Sequence, residues 1–451
     1  MDTEIKTAQN DVYKKSRVFY ILEASVEYFL ATFVGGAYLA KMTTALGMSD
    51  DLTGIITAFV SLGFGFQIFA LLLAQKKPIK HFIIIMNLLT QLAFSFLSVI
   101  PVIKLPGTVK AVIFIALFLV GEIIKNVIYP AKMAWEMGIV DDHKRGSFTA
   151  TKEIVSLLSG IVITIGMGSI IDYFEASGNS RGVFIFGGIT MFALTAIHTT
   201  LLLLIKEKPE KTQKEPIGQL IRESVTDKRL LVLIPLFVFW NIATYSTTPF
   251  YGTYQLKELG MSMTLVTVVT AVGSVVRAIV STPMGRLADK YSFITSLNVC
   301  FAIALAAHVA NLFAGVGFYT AYVVLHAASM SGINSGIVNL VYDFVPRSSR
   351  TSAIAVKNTV VGFAGFFTTL AVSPLVLYIQ GKGNKFLFFE HIYAQQILTA
   401  FALLMVIACI LYLNFVVKPA KKKLVVREAE TSENDAANVG AETDTQSDKT
   451  E

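Results

Sequence analysis

"VDDHKRGSFTATKEIVSLLSG", residues 140–160, and "VPRSSRTSAIAVKNTVVGFAG", residues 345–365, read as two copies of one segment. Aligned without gaps at an offset of 205, they coincide at seven of 21 positions: Val140/Val345, Arg145/Arg350, Ser147/Ser352, Ala150/Ala355, Lys152/Lys357, Val155/Val360 and Gly160/Gly365. Three of these matches are polar or charged, so a shared apolar bias does not account for them. The same offset lays most other apolar runs onto partners. A chain that repeats itself half-way along is built from two equivalent parts.

Those parts belong in lipid. Of the 451 residues, 54% are hydrophobic and only 15% charged, with a mean hydropathy of +0.62. A water-soluble domain carries about a quarter charged residues. The apolar residues fall into twelve runs, roughly 18–41, 52–75, 81–103, 109–134, 149–171, 182–205, 229–255, 262–284, 293–315, 316–342, 352–379 and 393–417. Each approaches or exceeds the ~20 residues that cross a ~30 Å hydrocarbon layer. Lipid offers the backbone no hydrogen-bond partner, so segments of this length must be helices. The fold class is therefore an all-α polytopic membrane protein, with twelve transmembrane helices in two pseudo-symmetric six-helix bundles. The first 17 residues are polar and the first apolar run is too long for a signal-peptide core, so it is read as a retained helix. Cys300 and Cys409 both lie inside apolar runs, which indicates neither a disulfide framework nor a thiolate metal site.

Charge sets the orientation. Alternate links carry Lys14, Lys15 and Arg17, then Lys76, Lys77 and Lys80, then Lys144 and Arg145. The central link, Arg286, Lys290, Arg347, Arg350 and the lysines from Lys418 to Lys423 fall on the same side. The other side has few basic residues, among them Lys41, Lys104 and Lys257. The positive-inside rule places the basic set, and both termini, in the cytoplasm of a cell (plasma or inner) membrane. The net charge of +7 is then mostly topology, and no nucleic-acid partner is implied. The chain divides into a cytoplasmic segment 1–17, a six-helix bundle 18–205, a central loop 206–228, a second bundle 229–417 and an acidic tail 418–451. Within the loop, "IGQLIRESV" suits a short amphipathic helix on the membrane surface. The tail lacks apolar residues to bury and reads as disordered and cytoplasmic.

The link after the eighth run reads "PMGRLADKYS", residues 283–292. With the six-plus-six topology and the long central loop, its Gly285, Asp289 and Lys290 resemble a cytoplasmic loop motif of the major facilitator superfamily, with Arg286 a further gate candidate beside them. The resemblance covers about residues 15 to 418. The corresponding link after the second run, "LLLAQKKPIKHF", departs from it: Gln75 or Lys76 stands where Asp belongs, and the Gly is missing. The resemblance implies rocking half-bundles and a central cavity lined by helices 1, 4, 7 and 10. Gly285 is expected to let the chain turn closely against a neighbour. Asp289 is expected to latch onto the positive N-terminus of the fifth helix and onto Lys152 when the cytoplasmic side closes. Arg145, Arg350 and Lys357 fall at equivalent gate positions by the repeat.

A charged residue at mid-bilayer costs about 2.5–3.5 kcal/mol on insertion scales, which makes each one a functional candidate. Glu23 and Glu27 share a face of span 1, and two carboxylates so placed favour holding a proton. Glu122 and Lys125 stand three apart on span 4, and Arg277 lies deep in span 8. Trp240, Asn241, Tyr245 and Thr248 on span 7 and Ser331, Asn334 and Asn339 on span 10 add polar and aromatic groups, with Trp240 and Tyr245 suited to stacking on a polar ring. His198, His308 and His326 sit on different spans without ligand spacing, so no metal site is expected.

These residues suit a secondary active transporter for a small polar or anionic solute. Glu27 and Glu122 make a proton the first choice of coupling ion, with sodium the other; no further cofactor is expected. No Walker-type loop is present, so ATP is not implied. A drug/proton exporter of the same fold is the alternative, although span 5, "SLLSGIVITIGMGSIID", lacks the Gly-Pro signature usual there. A membrane-embedded enzyme would need a clustered His/Asp/Glu or Ser–His site that the sequence does not offer. A monomer in the lipid bilayer is expected.

Overall fold

In the computed structural model, residues 12–74, 78–141, 145–208, 217–346, 349–388, 390–424 and 426 are described. Residues 1–11, Gln75 and Lys76 of the span 2 link, 209–216 of the central loop and the tail from 427 lie outside them. Among the described residues, eleven helical segments are long and apolar enough to cross a membrane. A bent pair, Lys14–Phe33 and Gly36–Ala45, makes a twelfth. In chain order, span 1 is that pair. Spans 2 to 6 are Asp50–Leu73, Lys80–Val102, Gly107–Gly138, Thr151–Ala176 (its helix beginning at Arg145) and Ser180–Leu204. Spans 7 to 12 are Lys228–Glu258, Met263–Lys290, Phe293–Ala310, Val316–Phe344, Arg350–Gly381 and Ala394–Leu424.

The two segments of span 1 meet at 42°, at Gly35 and Gly36. Gly36 takes φ +52°, a conformation that side chains with a Cβ resist. The bend also brings backbones together across the molecule. A Cβ on Gly252 of span 7 would stand 2.4 Å from the Gly36 carbonyl oxygen. Without a hydrophobic force between helices in lipid, small residues that allow such approach are what holds spans together.

Within the first half, span 1 packs on spans 5 and 6, and span 3 on spans 4 and 6. The second half repeats part of this scheme: span 7 packs on spans 11 and 12, and span 9 on spans 10 and 12. Phe94, Phe114 and Phe118 fill one half, and Phe237, Leu297 and Phe301 the other. The halves meet where span 2 packs against span 11, span 5 against span 8, and the second segment of span 1 against the end of span 7.

The loop helix Ile217–Thr226 forms as its amphipathic pattern suggests, but it docks on protein. Its Ser224 Oγ donates to Ser352 Oγ at 2.6 Å, at the start of span 11. The "PMGRLADKYS" stretch corrects another expectation. Span 8 runs on as helix to Lys290, so Gly285 lies inside a helix and makes no tight turn. Nothing lies within 4 Å of where its Cβ would be. The chain turns at Tyr291 and Ser292 instead, where the Ser292 hydroxyl accepts from Thr295 N and starts span 9.

Candidate functional site: a cleft between the two halves

The seams are tight at the end of the molecule away from the chain ends. The Asp172 carboxylate of span 5 accepts from Met263 N (2.9 Å) and Thr264 N (2.8 Å), so it caps the positive end of span 8. One turn away, Gly168 abuts Met263 and Thr267. Asp50, at the start of span 2, takes Lys257 of span 7 at 2.5 Å and Gln380 of span 11 at 3.0 Å. Gln380 also donates to Glu258 at 3.0 Å. Ser373 of span 11 donates to the Asp51 carbonyl at 3.1 Å.

Deeper, the halves part. A cavity of about 280 Å³ opens between spans 1, 5, 7 and 8. Tyr28, Thr32, Thr164, Gln255, Thr270 and Ser274 supply its polar groups, all of them uncharged. Beyond it, most of span 8 from Val275 to Lys290 is exposed, as are Thr151, Glu153 and Ile154 of span 5. Spans 2 and 11 form the side wall of the cleft: Ser61 Oγ donates to the Gly362 carbonyl at 2.9 Å, Asn358 donates to Gln67, and Phe66 meets Phe363 edge-on.

The expected site residues do not gather in one place. Glu122 is buried, and Lys125 holds it at 2.5 Å with Asn126 on the other oxygen at 3.3 Å. Tyr245 belongs to the wall, packed with Ser61 over Gly365. Trp240 is 5% exposed, against Phe301 and parallel to the His326 ring, so it fills the core of the second half and offers no open face. Asn241 donates back to the Phe237 carbonyl at 3.0 Å. Arg277 is exposed one turn past Gly273, and its charge reaches His326. Asn334 is exposed on span 10.

The gate residues are likewise dispersed. Arg286 and Asp289 are exposed, and Lys290 lies over the Tyr291 ring. Lys152 lies over the Tyr20 ring at 5.1 Å, and Asp289 is not joined to it in this conformation among the described residues. Lys357 lies over the Phe237 ring at 5.6 Å. Arg350 donates to the Tyr342 carbonyl at 2.7 Å, finishing span 10. The Arg145 side chain is outside the described residues.

Sequence reasoning missed a charged network inside the first half. Lys132 of span 4 puts its Nζ 2.5 Å from Glu23 Oε1 and 2.8 Å from Glu27 Oε1. The two carboxylates therefore share an ammonium, a partner that the sequence reading of this pair did not include. His198 of span 6, expected to stand apart, places Nε2 2.6 Å from the same Glu23 oxygen. Asn87 of span 3 meets its Nδ1 at 3.4 Å. Ligand atoms of Glu23, Glu27 and His198 lie within 4.8 Å of one another. Lys132 bonds to both carboxylates there, so the cation they meet is a lysine. Glu136, one turn on from Lys132, is buried on the same stripe of span 4, and its Oε1 has no partner among the described residues. Glu23, Lys132, Glu136 and His198 are all at most 3% exposed. A signal existed: Glu122, Lys125, Lys132 and Glu136 recur on one stripe of span 4 at three- to four-residue multiples.

Known proteins agree with this architecture. The sequence profile described as "Major Facilitator Superfamily" matches residues 24–369 and 258–441. No curated protein matches the sequence. Among solved structures, a mutant of the nucleoside transporter NupG superposes with a TM-score of 0.70 at 11% identity, covering 89% of this chain and 99% of its own. A D-xylose-proton symporter gives 0.65 at 14% identity, covering 90% and 98%. A bacterial homologue of the iron transporter ferroportin, in an inward-facing state, gives 0.64 at 13%, covering 88% and 98%. At these identities the likeness is one of fold. The profile match, twelve helical spans and a cleft between two halves together establish that this multi-pass membrane protein belongs to the Major Facilitator Superfamily.

Proposed function

We propose that the chain is a secondary active transporter that moves a small polar or anionic solute by alternating access, with its basic face in the cytoplasm and a proton as the coupling ion. One observation carries this reading. The halves are tied at one end by Asp172, Asp50 and the Gly36–Gly252 approach, and a polar cavity lies between spans 1, 5, 7 and 8 beside these ties. A two-ended cleft sealed at one end is what a rocking mechanism requires.

Charge favours an anionic solute. Lys357 and Arg277 have no carboxylate partner within ion-pair distance among the described residues, whereas Lys125 is already matched by Glu122. An unmatched cation in a low-dielectric cleft gains most from a solute that brings the missing charge. The neutral lining of the cavity supplies hydrogen bonds for the rest of such a molecule.

The test is flux into proteoliposomes across a panel of radiolabelled carboxylates, sugars and nucleosides, with and without an inward proton gradient. Gradient-stimulated uptake of a carboxylate supports the proposal. Uptake of neutral solutes only would remove the anionic reading, and uptake indifferent to the gradient would remove proton coupling.

A further inference from the structure

Span 12 ends in a run of cations at a depth its own length fixes. Residues 397–417 are apolar apart from Thr399, Tyr412 and Asn414. At 1.5 Å per residue these 21 residues cover about 31 Å, the thickness of the hydrocarbon layer. Lys418, Lys421, Lys422 and Lys423 therefore emerge among the lipid headgroups. Span 7 runs the other way beside it and starts with Lys228 and Arg229, just ahead of the apolar Leu230.

Between these two helix ends lies a groove of about 590 Å³. Val232, Phe344, Ala420 and Leu424 give it an apolar lining. Lys228, Arg229, Lys422 and Lys423 also line it, and all four are exposed. None of the four has a carboxylate within ion-pair distance among the described residues. The nearby acids are spent: Asp343 pairs with Lys421, and Asp227 accepts from the Arg229 amide at 2.8 Å. The walls are held in place. Tyr412 of span 12 donates to the Val232 carbonyl at 3.0 Å, and Asn414 donates to Asn298 of span 9 at 2.6 Å. Lys422 also lines a second groove, of about 660 Å³, on the span 9 side.

We propose that the groove between spans 7 and 12 is a binding site for one anionic phospholipid. Its phosphate lies against the four cations, where Arg229 offers the planar fork that suits phosphate oxygens. Its acyl chains follow Val232 and Phe344 down into the bilayer. Two other anions could supply the charge, and neither matches the lining. Inorganic phosphate has no apolar part. The chain's own acidic sequence from Glu428 to Glu451 has Val439 as its one large aliphatic side chain and no aromatic, so it would leave the floor of the groove bare. A phospholipid matches both the cations and the apolar floor, and the site is independent of which solute the protein moves.

The test uses the delipidated full-length chain in detergent, titrated with phosphatidylglycerol or phosphatidylcholine and read by native mass spectrometry. Wild type is expected to retain one phosphatidylglycerol in preference to phosphatidylcholine. Affinity should fall about five-fold for each cation removed. Lys422→Gln with Lys423→Gln therefore loses most of the preference, and Lys422→Arg with Lys423→Arg keeps it. Lys104→Gln with Lys385→Gln removes the same charge at the opposite end of the molecule and also keeps it. Gel filtration checks that each variant is folded. Equal retention of the two lipids by wild type overturns the proposal, as does an equal loss in the Lys104/Lys385 variant. Displacement of phosphatidylglycerol by inorganic phosphate at the same concentration makes the site one for a free anion and overturns it as well. Preference that appears only once residues 428–451 are removed assigns the groove to the chain's own tail, with the same consequence.

Discussion

Lys152 and Lys357, 205 residues apart, do the same thing in the two halves. Lys152 on span 5 lies over the ring of Tyr20 on span 1, and Lys357 on span 11 lies over the ring of Phe237 on span 7. A cation over a ring face gains about 0.5–2 kcal/mol, most where water is scarce. The duplication thus preserves a contact between the fifth and first helix of each bundle. It does not preserve the surroundings. Lys152 also reaches the Tyr20 hydroxyl, whereas the phenylalanine leaves Lys357 with the ring alone. The asymmetry leaves Lys357 without a carboxylate partner among the described residues.

Asp172 should be a determinant of which end of the cleft stays shut. Asp172→Ala removes two charge-assisted bonds to the start of span 8, and caps of this kind are worth about 1 kcal/mol. That corresponds to about a five-fold shift in the balance between the two cleft states. A cysteine placed at Thr32, in the cavity lining, should be modified several-fold faster from the face opposite the chain ends. Unchanged reactivity would mean that the Asp50 contacts alone set the balance.

Lys132 should matter more for folding than Lys125. Lys132→Met leaves Glu23 and Glu27 without their cation, and a buried pair broken from one side costs about 3–5 kcal/mol. Lys125 is 30% exposed and its one carboxylate, Glu122, keeps Asn126, so Lys125→Met should cost less than Lys132→Met, which strands two carboxylates. Adding Glu23→Gln to Lys132→Met should recover part of the loss, since the two act through one contact. Melting temperatures of detergent-purified variants decide this. Equal losses for the two lysines, or no recovery in the double variant, would contradict the assignment.

Asp289 should act only when the end of the cleft that carries the described chain ends is closed. In the present conformation it is exposed while Lys152 is held by Tyr20. Asp289→Asn is expected to lower turnover several-fold while leaving membrane insertion and the melting temperature within experimental error. Crosslinking of cysteines at 289 and 152 under conditions that drive turnover reads the contact directly. Undiminished turnover sinks the latch.

Gly252→Ala tests one close backbone approach of the halves. Its methyl group would stand 2.4 Å from the Gly36 carbonyl, and overpacking of this kind costs about 1–3 kcal/mol. The loss should appear as faster labelling at Thr32 from the same face, with little change in secondary structure by circular dichroism.

Much of the fold was legible because it is written in short-range patterns. Run length gave the spans, and the polar matches at Arg145/Arg350 and Lys152/Lys357 gave the halves. Glu122 and Lys125 were readable as a pair because three residues of helix bring them together whatever else happens. Lys132 and Glu23 are 109 residues apart, and His198 is 175 from Glu23. No periodicity on one helix says which neighbour its charged stripe will meet. Trp240 failed for the same reason: sequence places it on span 7 but does not say that its ring turns into the bundle. Gly285 shows a different limit. A glycine flanked by charges suggests a turn, yet the apolar helix before it simply runs on for another turn and a half, until Ser292 offers a better start for the next.

The two ties at the closed end differ in what evolution can do to them. Asp50 depends on a particular lysine and a particular glutamine opposite it. Asp172 meets main-chain amides at 263 and 264, which every non-proline residue provides. Substitution along the first turn of span 8 therefore leaves that fastening in place, and the opposing half is free to diversify its side chains without losing its grip.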